Sequence, residues 1–286
     1  LFINVCRLLV GCSGSERFQQ KLFIGHKILL IFDYMKKFLC FMYFMVVSTI
    51  LFAQDKNFHI YLCFGQSNME GNAPVEPQDT CNINERFLMM AGVNCSDLGR
   101  VKGNWYKAVP PLARCYTGLT PADYFGRTLL EYLPSEVRVG VINVSVGGCS
   151  IDLFDKERFK EYITAGPDWL KNIVREYDDN PYGRLVELAR LAQGQGIIKG
   201  ILLHQGESNS GDRTWPERVK KVYGDLLRDL KLESEQVPLI VGEMVHTDQN
   251  GQCASMNEII NTLPQVIPAA RVVSSAGCPA ADDHLH

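Results

Sequence analysis

The sequence predicts an α/β fold: one domain built on a central parallel sheet of about five strands, with helices on both faces. Two observations carry this. Five short runs are nearly continuous in apolarity, as strands buried on both faces are, and amphipathic stretches with punctuated ends lie between them. Length agrees, since 286 residues at 46% hydrophobic content suffice for one large core.

The strand candidates are His59–Phe64, Val137–Val146, Ile197–His204, Leu239–Val245 and Arg271–Ser275, each rich in Val, Ile, Leu or aromatic residues. Thr120-Pro121 opens a helix running to about Leu133, with Thr120 as N-cap, Pro121 in the first helical position and Pro134 as the stop. A second helix runs from Pro181 to Ala192 and ends at Gly194, and a third starts at Trp215-Pro216. In the third, Val219, Val222, Leu226, Leu227 and Leu230 form one apolar stripe that reads as core packing. A fourth helix is expected over Ala254 to Leu263. Asn72 to Leu119 is a long polar insertion punctuated by Gly and Pro, the kind of segment in which substrate selectivity is built.

The chain begins with Leu1, and residues 1–34 have no clean periodicity, which suggests upstream sequence outside the native protein. Met35-Lys36-Lys37, an apolar run from Phe38 to Phe52 and the small Ala53 have the order of a secretory signal peptide, residues 35–53. The 15-residue run falls short of the roughly 20 that span a membrane, so a retained anchor is the weaker alternative. Residues 54–286 then form the exported domain, secreted or periplasmic. Of ten cysteines, Cys6, Cys12 and Cys40 precede the cleavage point; Cys63 reads as a small buried hydrophobe, and a bridge among Cys81, Cys95 and Cys115 suits an oxidising compartment. A formal charge of −3 with no basic block argues against nucleic acid as a partner. Oligomeric state is not legible.

In parallel sheets ligands bind beyond the carboxyl ends of the strands. The first strand runs into Gly65-Gln66-Ser67-Asn68-Met69-Glu70-Gly71, where a serine at a strand-to-helix turn can act as a nucleophile and helix amides can face an oxyanion. Gly-x-Ser occurs elsewhere in the chain, so this motif alone is weak. The second strand ends at Gly147-Gly148, whose amides can approach a ligand closely. The third ends in His204-Gln205-Gly206-Glu207-Ser208, where Gln205 offers a side-chain amide to an oxyanion and Glu207 can orient an imidazole. The chain closes on Asp282-Asp283-His284-Leu285-His286. An aspartate three residues before a histidine suits a carboxylate that fixes an imidazole tautomer; a metal cluster and a solvated tail are the competing readings. Phosphate-loop and dinucleotide motifs are missing or misplaced relative to strands.

Taken together and in order, Gly65-Gln66-Ser67-Asn68-Met69-x-Gly71, Gly147-Gly148, His204-Gln205-Gly206-Glu207-Ser208 and Asp283-x-x-His286 resemble the SGNH hydrolase superfamily. Within it, the likeness is to carbohydrate esterase family six and the sialate O-acetylesterase group, over about Phe58 to His286. The resemblance implies a three-layer α/β/α flavodoxin-like fold and a metal-free, cofactor-free acyl-enzyme mechanism on an acetylated carbohydrate. Ser67 would be nucleophile and His286 the base. Asp283, or alternatively Glu207, would be the acid; the amides of Ser67, Gly147 and Gly148 with Gln205 would form the oxyanion hole; Gln66, Asn68 and His204 would contact substrate. Family members continue past the catalytic histidine, so the resemblance implies a C-terminally truncated domain. A secreted acetylxylan esterase is the leading expectation, with a sialate O-acetylesterase as the alternative. Two readings of other classes are a carbohydrate-binding protein without turnover and a metal-dependent hydrolase using the Asp282–His286 cluster.

Overall fold

The computed structural model describes residues 30–40, 42, 54–281 and 283–286. The chain divides into two compact units, Leu1–Ala53 and Gln54–His286. Of the first, residues 30–40 and 42 are helical and exposed. The proposed cleavage point at Ala53, the apolar run after Met42, Cys6, Cys12 and Asp282 lie outside the described residues. Among the described residues no helix is long and apolar enough to cross a membrane.

The second unit is built on seven strands: β1 (Phe58–Gly65), β2 (Phe87–Met90), β3 (Trp105–Lys107), β4 (Arg138–Ser145), β5 (Ile197–His204), β6 (Leu239–Gly242) and β7 (Ala270–Val273). They form one sheet in the order β3-β2-β4-β1-β5-β6-β7, parallel except for the antiparallel β2–β3 pair. Eight helices accompany them among the described residues: α1 (Ser67–Glu70), α2 (Pro121–Tyr132), α3 (Phe159–Ala165), α4 (Asp168–Arg175), α5 (Pro181–Gln193), α6 (Trp215–Leu230), α7 (Met256–Ile260) and α8 (Leu263–Val266).

Side-chain alternation along β1 divides the core in two. Phe58, Ile60, Leu62 and Phe64 enter one cluster with the apolar stripes of α5 and α6, while Tyr61 and Cys63 enter the other beneath α2. Each large side chain fully buried this way contributes about 1.5–3 kcal/mol, which is why the central strands read as unbroken apolar runs. The helix ends follow their caps. Thr120 Oγ1 accepts from the amide of Ala122 at 2.9 Å and Asp123 Oδ2 accepts from the amide of Thr120 at 2.9 Å, with Pro121 in the first turn. Asn180 Oδ1 accepts from the Gly183 amide at 2.8 Å ahead of α5.

The structure departs from the sequence expectations in several places, and it adds α3 and α4 ahead of α5. Seven strands replace five because the insertion supplies β2 and β3; β2 is ordered by pairing with distant β4, and β3 by pairing with β2 and by packing of Trp105 on Phe58, with ring centroids 4.8 Å apart. The single helix expected over Ala254 to Leu263 is two, α7 and α8, because Pro264 has no amide hydrogen with which to continue α7. The insertion also holds the disulfide Cys95–Cys115, while Cys81 is a free, exposed thiol and Cys63 a free, buried one.

The register matters most for function. Gly65 lies opposite Ser145 of β4 and opposite His204 of β5, so three strands end level and their following loops meet at one edge.

Candidate active site

Ser67 is the first residue of α1, separated from the end of β1 by Gln66 alone. The turn into it needs Gly65, which has φ +151° and whose place for a Cβ lies 2.0 Å from the carbonyl oxygen of His204. No side chain fits there without moving β5.

Three loops are stitched together behind the serine by a buried polar network. Gln66 Oε1 accepts from Gln205 Nε2 at 3.1 Å and from the amides of Ser208 and Gly206 at 3.3 and 3.4 Å. Gln205 Nε2 also faces Asn209 Oδ1 at 2.7 Å and the Cys149 carbonyl at 3.2 Å, and its own oxygen accepts from Trp215 Nε1 at 2.5 Å. Asn209 Oδ1 in turn accepts from the Ile151 amide at 3.0 Å. Gln205 is fully buried. Its amide hydrogens are spent inside this network, so the structure does not bring it to the cavity as the donor expected from the sequence. Nor does it bring His204, whose Nε2 lies 3.0 Å from the Glu243 carbonyl oxygen beside β6.

The imidazole of His286 meets the serine from the other side. Its Nε2 lies 2.9 Å from Ser67 Oγ, and its Nδ1 lies 2.5 Å from Asp283 Oδ2. The carboxylate selects the tautomer with hydrogen on Nδ1, which leaves Nε2 to accept the serine hydroxyl. Asp283 Oδ1 accepts from the amides of Leu285 and His286 at 2.9 and 3.1 Å. These bonds, the Leu285 amide foremost and then the His286 ring, hold the Asp283 carboxyl below the usual aspartate range. Of the two acids considered from sequence, Asp283 is the one bonded to His286. Glu207 Oε1 accepts instead from Asn68 Nδ2 at 3.2 Å, and the same Nδ2 donates to the Leu285 carbonyl at 3.1 Å. Asn68 therefore ties the serine turn to the histidine loop. The loop is fastened further by Gln252, whose Nε2 donates to the Asp283 carbonyl at 2.6 Å.

These groups surround an open cavity of about 610 Å³ that Ser67, His286, Gln66, Gly147 and Gly148 line. A Cβ on Gly147 would stand 2.7 Å from Glu70 Oε2 and 3.9 Å from the Ser67 Cα. Glycine thus lets the turn after β4 pass close to the nucleophile. Among the described residues the amides of Ser67, Gly147 and Gly148 have no protein acceptor, which leaves them available to an anion. Residues missed from the sequence complete the wall. Glu70 pairs with Arg114 of the insertion at 2.6 Å, and Arg114 reaches Glu176 at 2.6 Å; Trp169 and Ile173 of α4 and Gln252 also face the cavity. Only the position of Glu70 in the serine block hinted at any of these. Among the described residues no three His, Cys, Asp or Glu side chains converge as metal ligands, and His284 turns its Nδ1 to the Gln249 carbonyl at 3.0 Å.

A serine, an imidazole and a carboxylate in hydrogen-bonded series at the edge of a parallel sheet are the parts of an acyl-transfer site. The family model for carbohydrate esterases of the sialic acid-specific acetylesterase type, SASA, matches residues 57–286. The chain belongs to this family. It is accordingly a carbohydrate esterase, a carboxylic ester hydrolase. Solved structures share the fold. A protein of Arabidopsis thaliana is similar at 19% identity and TM-score 0.59, over 81% of this chain and 91% of that one. NanS is similar at 18% identity and TM-score 0.55, over 80% of this chain and 81% of that one. XAC1771, a carbohydrate acetylesterase from Xanthomonas citri, is similar at 17% identity and TM-score 0.50, over 78% of this chain and 51% of that one.

Proposed function

We propose that this SASA-family chain is a secreted serine esterase that removes O-acetyl groups from a carbohydrate through an acyl-enzyme. The observation that carries the reading is the 2.9 Å approach of Ser67 Oγ to His286 Nε2, backed by Asp283 at 2.5 Å. Ser67 Oγ attacks the acetyl carbonyl carbon while its proton passes to Nε2. The amides of Ser67, Gly147 and Gly148 donate to the oxyanion. Collapse breaks the bond to the sugar oxygen, which takes the proton from His286 and leaves acetyl-Ser67. Water then gives a proton to His286 and attacks the acetyl group, and acetate departs as Ser67 recovers its hydrogen. Asp283 keeps the tautomer and stabilises the imidazolium throughout.

Acetylated xylan is the leading substrate, since export suits a polymeric target; the family's description favours O-acetyl sialic acid as the second reading. Export itself rests on the signal-like order of residues 35–53 and on the Cys95–Cys115 bridge, which suits an oxidising compartment. A fluorophosphonate should label Ser67, and acetate should be released from at least one of the two substrates. Glycan binding without acetate release, with Ser67 unlabelled, would replace this reading by a non-catalytic one.

A further inference from the structure

The cavity has two chemically different sides, and the mechanism above uses only one. Trp169 is a large aromatic left 48% exposed while standing at the rim of the cavity that Ser67 and His286 line. Its benzo edge is fixed by the turn after β4: the place for a Cβ on Gly148 lies 2.8 Å from Trp169 Cη2, and Gly148 has φ +68°. One helical turn later on α4, Ile173 lines the same cavity, as residues four apart on a helix face do. An indole with an open face and an aliphatic neighbour make an apolar wall beside the oxyanion turn. An open indole face beside the catalytic groups is a surface that a ligand ring can cover.

The rest of the lining has one sign of charge. Glu70 and Glu207 contribute carboxyl groups, and among the described lining residues there is no lysine or arginine. The guanidinium of Arg114, behind Glu70, is spent on Glu70 and Glu176 at 2.6 Å each. A ligand carboxylate entering here would meet acidic groups and no unpaired cation, which disfavours it. A pyranose without charge meets no such repulsion: its C–H face suits an indole, and its hydroxyls suit Glu207, Ser208 and Gln252, which share the cavity.

We propose that Trp169 is a specificity-determining residue that stacks on the ring of an uncharged acetylated pyranoside and holds its ester over Ser67, in preference to an anionic sugar. This inference rests on the esterase reading, so its test needs a reference that detects loss of that reading by itself. Ethyl acetate has no ring to stack, and its hydrolysis by the wild-type protein reports the catalytic groups alone. Steady-state constants would be measured for the wild type, Trp169→Ala and Trp169→Phe on ethyl acetate, acetylated methyl xyloside and 9-O-acetyl sialic acid. The wild type should prefer the xyloside to the sialic acid in kcat/KM by at least about tenfold. Trp169→Ala should raise KM for the xyloside about tenfold relative to its effect on ethyl acetate, the upper range for one aromatic contact, and Trp169→Phe should restore most of the loss. An unchanged xyloside KM in Trp169→Ala, or a wild type that prefers the sialic acid, would overturn the proposal. Failure of the wild type to cleave any of the three esters would instead remove the esterase reading on which it stands.

Discussion

Ser67 follows a strand whose residues are almost all buried, whereas His286 stands on a loop where the side chain of its partner Asp283 is 46% exposed. The serine half is over-determined: Gly65 admits no side chain, and Gln66 and Gln205 lock the turns after β1, β4 and β5 into one buried network. The histidine half hangs on a few bonds to its neighbours, those of Asn68 to the Leu285 carbonyl and of Gln252 to the Asp283 carbonyl among them. A nucleophile and its oxyanion amides gain from rigidity, because charge develops there and must find its donors in place. The base needs one tautomer and one direction, which a short loop with a carboxylate can supply.

The sharpest way to break this comparison is at the exposed end. Asp283→Asn should lower kcat about a thousandfold or more by presenting the wrong tautomer, with little change in melting temperature. Glu207→Gln keeps an oxygen for Asn68 and removes no bond to His286, so its loss should stay below about tenfold, the worth of one ordinary hydrogen bond. Steady-state assays of the two variants side by side decide which acid serves the histidine; the reverse ranking would transfer that role to Glu207.

At the buried end the cost should appear in stability. Gln205→Ala strands Trp215 Nε1 inside the core, at about 1–3 kcal/mol, which corresponds to a fall in Tm of about 3–10 °C, while Asn209 Oδ1 keeps the Ile151 amide. Turnover of the folded fraction should fall less than tenfold. A loss of about a hundredfold with unchanged Tm would return Gln205 to the oxyanion hole.

A further effect is one of pH. Asp123 is buried in the first turn of α2, and burial pushes its carboxyl up to about 7 from an ordinary 3.8 against the opposing bond from the Thr120 amide. The folded state therefore favours the neutral acid: its contribution is complete below about pH 4 and is lost as pH rises through about 7. Asp283, held low, has the opposite sign and loses its contribution as pH falls below the usual aspartate range. Asp123→Asn should flatten the decline of Tm between about pH 4 and pH 7, and thermal melts across that window would show whether it does.

How much of this was legible follows the same division. The strands β1, β4 and β5 stood out because both faces are buried, and the helices α2 and α5 because Thr120-Pro121 and Pro181 mark their starts. The short peripheral strands β2 and β3 did not, since Trp105–Lys107 is only half-buried and takes its form from pairing with β2, which is itself held by β4 farther along the chain. Ser67 and His286 stood out as candidates only when the four blocks were taken together and in order, and the choice between Asp283 and Glu207 stayed open. The direction of an amide is not legible: Gln205 could have faced the cavity or the core, and Trp215 and Asn209, which capture it, follow it in sequence without any pattern that announces the contact. Trp169 lies in a polar stretch where an aromatic residue carries no signal until the fold sets it beside Gly148.

The pairing of Ser67 with His286 is tested most directly by a double-mutant cycle on ester hydrolysis, with Ser67→Ala, His286→Ala and the double variant assayed together. If the two side chains act as one unit, each single variant should lose at least about ten-thousandfold in kcat and the double variant hardly more than either. Losses that multiply in the double variant, or a Ser67→Ala protein that keeps a tenth of its turnover, would contradict the account.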